Sequence, residues 1–265
     1  MNDRVKIRTE NDIAYVTLTR TDKHNGMDLP MLKEVIAAQK TVRKMKGIRA
    51  VILHGEGPSF CAGLDIKSVM GEPLKAFASY LQLWWPMRND FQTWSMGWRE
   101  LPVPVIAVVH GNAFGAGLQL ALGADIRICT PDAQLSMMEA KWGLVPDMGG
   151  VALMRELMRI DLAKELTLTG RVMTGIQAHE LGLVTHVCKD PMARAQELIG
   201  EISTRSPDSV GAGKFLLQEA WRAIDGAALR AERLWQRRVI TTKNQRISVQ
   251  RNQKKEDIPF SERKI

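Results

Sequence analysis

Pro104-Val-Ile-Ala-Val-Val-His-Gly-Asn-Ala-Phe-Gly-Ala-Gly-Leu-Gln-Leu-Ala-Leu-Gly-Ala-Asp125 is the stretch on which the reading of the chain turns. Residues 105–109 are a short apolar run rich in β-branched side chains, which predicts a buried strand. Gly111 marks a tight turn, a glycine-rich loop follows, and a helix is predicted to open near Ala116. The first N–H groups of such a helix have no internal partner, and the positive end of the helix dipole lies behind them. Gly115 and Gly117 carry no side chain to keep a ligand oxygen from the backbone.

The same signature occurs earlier, as Val51-Ile-Leu-His-Gly-Glu-Gly-Pro-Ser-Phe-Cys-Ala-Gly-Leu-Asp65. Both copies run strand, His-Gly, Phe-x-Ala-Gly-Leu, helix. Two such loops side by side would aim two N–H donors at one oxygen, the requirement for an oxyanion hole. Taken alone, the pair reads equally well as ordinary strand-to-helix turns of an α/β fold.

Working outward, residues 13–19 predict a strand and residues 21–27 a polar turn. Asp28 is placed to cap a helix that has Pro30 in its first turn and reaches Met45. The chain then returns to a strand at 50–53. Strand, helix, strand in this order requires a crossover and so a parallel sheet. Residues 67–100 hold Phe77, Tyr80, Trp84, Trp85, Phe91, Trp94 and Trp98. That aromatic stripe is packing or subunit interface on one reading, and the wall of an apolar substrate site on the other.

After a strand at 125–130, Glu139 and Asp147 sit in apolar or glycine-rich surroundings. Burial there would raise their pKa values and fit them for proton transfer, although surface loops also carry such acids. Asp147 has a second reading, as the N-cap of a helix starting near Met148. Asp161 is expected to cap a helix ending at Gly170, Thr174 one ending at Gly182, and residues 183–187 to form a last strand. Helices are expected at 191–204, 207–222 and 225–242. The division is therefore an α/β core at 1–190 carrying the site and a helical region at 191–265.

The 265 residues, 45% hydrophobic and 25% charged, suit one substantial globular core. Cys61, Cys129 and Cys188 form no CxxC pair, so neither a disulfide framework nor a zinc site is expected. No apolar run has the form of a signal peptide or a membrane span, and the expectation is a soluble cytoplasmic protein. The net charge of +8 is concentrated late, at Arg230, Arg233, Arg237, Arg238, Lys243, Arg246, Arg251, Lys254 and Lys255. A solvated helix face accounts for it, with a phosphate-bearing small ligand or nucleic acid as the other readings.

Several motifs are absent. Neither glycine loop carries the lysine of a phosphate-binding GxxxxGK[ST] loop, and Gly115-Ala-Gly117 continues as Leu-Gln-Leu and so fails GxGxxG. No GxSxG elbow and no metal-binding histidine spacing occurs, which turns the reading away from serine nucleophiles and metal catalysis.

Three ordered motifs carry a family resemblance: Phe60-Cys-Ala-Gly-Leu-Asp-Ile-Lys67, His110-Gly-Asn-Ala-Phe-Gly-Ala-Gly117 and Gly143-Leu-Val-Pro-Asp-Met-Gly-Gly150. With them the chain resembles the crotonase superfamily, also called the enoyl-CoA hydratase/isomerase family. The resemblance implies a spiral of ββα units and a C-terminal helical trimerisation region. It also implies a homotrimer or a homohexamer, and an acyl-CoA thioester substrate that brings coenzyme A with it, with no separate cofactor and no metal. Carried over by position, it makes the backbone N–H groups of Leu64 and Ala116 the oxyanion donors, and Lys23, Ala62, Asp65, Ile66 and Lys67 the coenzyme contacts.

Hydratases resembling this chain carry two glutamates; here Gln119 stands in the first position and Glu139 in the second. An amide cannot transfer a proton at a useful pKa. Moving a double bond needs only one group that takes a proton and returns it elsewhere, so the pattern favours an isomerase. Asp147 matches an aspartate that dienoyl-CoA isomerases carry opposite the glutamate. It also matches the nucleophile of aroyl-CoA dehalogenases, which replace that glutamate by an aromatic residue. The resemblance thus implies that Glu139 shuttles the proton, Asp147 is a second acid and Gln119 orients. The alternatives are a hydratase with Glu139 as sole acid and base and Gln119 holding the water, and an RNA-binding relative.

Overall fold

The β-branched runs around residues 13, 50, 105 and 126 are apolar on both faces, so they can only be strands buried between two layers. The computed structural model, which describes residues 4–71, 74, 81–84 and 86–265, shows this arrangement. Strands β1 (Val5–Glu10), β2 (Ile13–Leu18), β3 (Ala50–Gly55), β4 (Val105–Val109), β6 (Ile126–Cys129) and β9 (His186–Val187) form one sheet in the order β1-β2-β3-β4-β6-β9. All neighbours are parallel except β1 with β2. A second, three-stranded sheet joins β5 (Asn112–Phe114), β7 (Gln134–Ser136) and β8 (Met173–Thr174).

Strand β1 is absent from the sequence reading because only alternate residues of Val-Lys-Ile-Arg-Thr-Glu turn inward, and the strand lies at the sheet edge. Its signal is the two-residue turn Asn11-Asp12, both left-handed at φ of 49° and 62°, the geometry a tight hairpin needs.

Helix α1 (Leu29–Lys44) makes the expected crossover, with Asp28 accepting the Met31 N–H at 2.9 Å as N-cap. Its buried face, including Leu32, Val35, Ile36 and Val42, packs into the main core. The short α2 (Ile66–Met70) and then α3 (Asp90–Met96) follow. Trp94 and Trp98 are fully buried, so these two members of the aromatic stripe are core. Trp84 is exposed, whereas Phe77, Tyr80 and Trp85 lie outside the described residues.

Strands β4 and β6 each pass into a strand of the second sheet, β4 through β5 into α4 (Ala116–Leu122) and β6 through β7 into a short 3-10 turn. Helices α5 (Gly150–Met154), α6 (Ile160–Thr169) and α7 (Gly175–Glu180) complete the segment before β9. Thr174 caps α7 in a reciprocal pair with Gln177, as expected. Asp161 does not cap α6: Arg159 is the N-cap residue, and Asp161 is the second residue of the first turn, paired with Arg159 at 2.5 Å.

Four helices end the chain: α8 (Pro191–Ser203), α9 (Pro207–Ala220), α10 (Asp225–Val239) and α11 (Lys243–Lys254). Helix α8 covers the second face of the sheet, packing Ala195 and Ile199 against Ile13, Ile52, Ile106 and Ile128. The region expected to begin at residue 191 therefore opens with a helix that belongs to the core packing. Lys214 ties α9 to the core, 2.8 Å from Asp125. Among the described residues no helix is long and apolar enough to cross a membrane.

Candidate active site

The turns that leave β3 and β4 are laced together edge to edge. Phe60 N–H donates to His110 C=O at 2.9 Å, Cys61 N–H to Asn112 C=O at 2.9 Å, and Phe114 N–H to Cys61 C=O at 3.1 Å. Gly63 has a φ of +94°, and a Cβ built on it would lie 2.6 Å from Phe114 O, so only glycine lets the loops approach this closely. Gly115 has a φ of +49°, and its missing Cβ would lie 3.3 Å from Glu139 Oε1.

Each left-handed glycine is followed by one candidate donor, Leu64 after Gly63 and Ala116 after Gly115. Neither backbone N–H has a hydrogen-bond partner among the described residues. Both residues line a cavity of about 590 Å³. Two free donors on abutting loops can hold one oxygen as negative charge develops on it. In the repeated Phe-x-Ala-Gly-Leu pattern the donor is Leu in the first copy and Ala in the second. The backbone turn, not the place in the motif, selects the donor.

The Leu64 loop is held by buried charge. Met27 N–H donates to Gly63 C=O at 2.7 Å and Asp65 N–H to Met27 C=O at 2.9 Å. The Arg20 guanidinium, almost fully buried, lies between two helix-capping carboxylates, 2.8 Å from Asp65 and 3.5 Å from Asp28, and donates to Gly26 C=O at 2.8 Å. Burial pushes the Asp65 carboxyl up. Hydrogen bonds from Ser68 and the pairing with Arg20 outweigh that and hold it below the ordinary range.

Among the expected coenzyme contacts, Ala62 and Ile66 line the cavity, and Lys23 and Lys67 are exposed beside it. The Asp65 carboxylate is engaged by Arg20 and by the cap of α2. Sequence reading overlooked Arg20, since a lone arginine at a strand end has no periodic or motif signal.

The Ala116 loop has no charged residue of its own. Its anchor is the Trp94 indole, whose N–H donates to Ala116 C=O at 2.9 Å.

Glu139 opens a short 3-10 turn (Glu139–Trp142) and is buried. Its Oε1 accepts from Gln119 Nε2 at 2.6 Å, and its Oε2 has no partner among the described residues. Burial raises its pKa and Asp147 adds to the rise, while a backbone hydrogen bond and Gln119 oppose it. Asp147 also lines the cavity, at its open side where the residue is exposed, and partial desolvation by the surrounding groups raises its pKa. It is not a helix cap: α5 begins at Gly150, its N-cap is Gly149, and no side chain bonds there.

Gln119 is fully buried behind the cavity wall. Its Oε1 accepts from Met148 N–H at 3.0 Å and Gly150 N–H at 2.9 Å, and its Nε2 donates to Glu139. These bonds tie Gln119 to Glu139 and to the 148–150 turn. Among the described residues no three His, Cys, Asp or Glu side chains gather as metal ligands.

Comparison with known proteins agrees with this geometry. The family model described as enoyl-CoA hydratase/isomerase matches residues 8–263. EchA19, an enoyl-CoA hydratase of Mycobacterium tuberculosis, is 37% identical over 204 residues, covering 74% of this chain and 73% of that protein. The mitochondrial Δ(3,5)-Δ(2,4)-dienoyl-CoA isomerase of Mus musculus is 29% identical over 216 residues, covering 78% of this chain and 66% of that protein. The crystal structure of an enoyl-CoA hydratase from Bacillus anthracis superposes with a TM-score of 0.88 at 27% identity, covering 97% of this chain and 98% of that one.

Proposed function

The chain belongs to the enoyl-CoA hydratase/isomerase family, and within it we propose that this protein moves a double bond along an acyl-CoA rather than adding water to one. The observation that carries this reading is the spent amide of Gln119. A glutamine oxygen offers two acceptor positions, and here Met148 and Gly150 fill both; one of its two N–H donors goes to Glu139. Gln119 has no acceptor left to steer a water beside Glu139. Hydration needs that service together with a proton for the α-carbon, whereas isomerisation needs neither a water nor a second mobile base.

In the proposed reaction the thioester oxygen sits between the N–H groups of Leu64 and Ala116. Ionised Glu139 takes a proton from C2 and the electron pair moves onto the thioester oxygen as an enolate. Protonation at the far end of the conjugated system then leaves the double bond shifted, with no net gain or loss of atoms. Glu139 returns the proton where the receiving carbon is within its reach, and protonated Asp147 supplies it where the conjugation runs further. Loss of one oxyanion donor typically costs about 3 kcal/mol of transition-state stabilisation.

The C-terminal helices leave Leu217, Trp221, Ile224, Leu229 and Leu234 exposed, which supports assembly into the trimer or hexamer that the family resemblance implies. The three cysteines are free, in keeping with a reducing compartment.

Matched 2-enoyl-, 3-enoyl- and 3,5-dienoyl-CoA, incubated in heavy water and followed by mass and retention, test the proposal. The expected product is a positional isomer without added water. Rapid gain of one water by the 2-enoyl substrate, with no isomer from the others, would overturn it.

A further inference from the structure

The reaction above places a thioester carbonyl and two acids but leaves the acyl group open, and the cavity wall bears on it. This inference rests on that reading. Of the described residues that line the cavity, Glu139 and Asp147 are the only charged ones, and the indole N–H of Trp142 is the one other polar side-chain group. Met138, Met148 and Phe91 form the wall with them, and the same lining continues into Leu144, Val145 and Trp142. No lysine, arginine, amide or hydroxyl side chain is among these described residues to receive a polar substituent. A short acyl chain whose terminal carboxylate stops inside the cavity would lose its water beside two acids, a poorly compensated burial of charge. A hydrocarbon chain meets side chains that fit it, the methionines adapting to its bends.

The outer part of this lining is open. Trp142 is 62% exposed, Leu144 53% and Val145 73%, three large apolar side chains within four residues. They line the same cavity as the buried wall, and an exposed apolar surface marks an interaction site, here one that adjoins the acids. We propose that the acyl group is an unsubstituted hydrocarbon chain, long enough to run past Glu139 and Asp147 and cover Trp142, Leu144 and Val145, and that short acyl groups ending in a carboxylate are rejected.

Each methylene removed from water contributes about 0.8 kcal/mol, or roughly a fourfold gain in affinity. Saturated thioesters neither isomerise nor hydrate, so their binding is separable from any chemistry. Calorimetric titration of the full chain with acetyl-, butyryl-, pentanoyl-, octanoyl-, dodecanoyl- and glutaryl-CoA is the test. Affinity is expected to rise by about fourfold per methylene toward dodecanoyl-CoA. Glutaryl-CoA is expected to bind at least about tenfold more weakly than pentanoyl-CoA, its partner in chain length.

Val145→Asp, at an exposed position that folding does not depend on, should flatten the rise for chains long enough to reach the rim. An affinity independent of chain length, equal binding of glutaryl- and pentanoyl-CoA, or an unaltered slope in Val145→Asp would each overturn the inference while leaving the acyl-CoA site in place. Failure of every thioester to bind would overturn the acyl-CoA reading itself, and this inference with it.

Discussion

The loop ending at Leu64 is fixed from outside the cavity by ions: Arg20 lies between Asp28 and Asp65, and Arg4 closes on Asp28 at 2.9 Å. The loop ending at Ala116 has no ions of its own. It is set by a left-handed Gly115, an apolar helix and the Trp94 indole, and it lies against Glu139, whose ionisation the surroundings oppose. The residue pattern is nearly the same, yet the means of support differ. The difference follows from what each loop must tolerate: the first stands at the end of the cavity near exposed Lys23 and Lys67, whereas the second shares its space with the acid proposed to move the proton.

The two loops should therefore answer acid in opposite ways. Asp65 is held below its unfolded pKa, so its contribution is present above that pKa and is lost as pH falls through the folded one. Glu139 is held above its unfolded pKa. Its ionised form costs stability at neutral pH, and that cost is relieved as pH falls through the raised folded value.

Removing the acid of the second loop should give the largest effect. Glu139→Gln is expected to lower isomerase turnover by about 10²- to 10⁴-fold. In the unaltered protein turnover should fall as pH drops through the raised Glu139 pKa, because the base must be ionised. For substrates that need protonated Asp147, turnover should also fall as pH rises past the raised pKa of that residue. Steady-state rates across pH check both limbs, and an acid limb in the ordinary carboxylate range would break the assignment.

Next in size is the ion network of the first loop. Arg20→Met leaves the Asp65 carboxylate without its cation, and breaking a buried pair in this way costs about 3 to 5 kcal/mol. Urea unfolding measures it, and a loss below 1 kcal/mol would place Arg20 with surface ion pairs. A smaller effect is expected from Trp94→Phe, which keeps the ring but deletes the N–H bond to Ala116 C=O, at about 0.5 to 1.5 kcal/mol. Its turnover should fall more than its stability, since the anchored turn carries a donor.

The smallest effect sharpens the pH contrast. At neutral pH Glu139→Gln should unfold at a slightly higher temperature than the unaltered protein, by up to about 1 kcal/mol in stability, with the gap closing near the unfolded carboxylate pKa of about 4.3. Melting both proteins across this range checks the sign.

Much of this frame was legible in the sequence. The alternation of strand, glycine turn and helix carried the parallel sheet and the paired glycine loops, and the family resemblance implied that Leu64, Ala116, Glu139 and Asp147 belong to one site. What escaped depends on contacts that no local pattern encodes. Gln119 reads as an orienting residue whose partner the sequence does not name. Only the fold shows that Met148 and Gly150, about thirty residues later, take up its oxygen. The Asp65 carboxylate has a partner in Arg20, at the end of β2, that no local pattern announces. Trp94 stands out as an aromatic, but its bond to Ala116 C=O joins residues 22 positions apart.

The central claim is that the two differently supported loops aim at one oxygen. The infrared carbonyl stretch of a saturated acyl-CoA labelled at its thioester carbon tests it most directly. The account predicts a bound frequency below that of the thioester in water, with Arg20→Lys and Trp94→Phe each returning part of the shift. A bound frequency equal to that in water would contradict it.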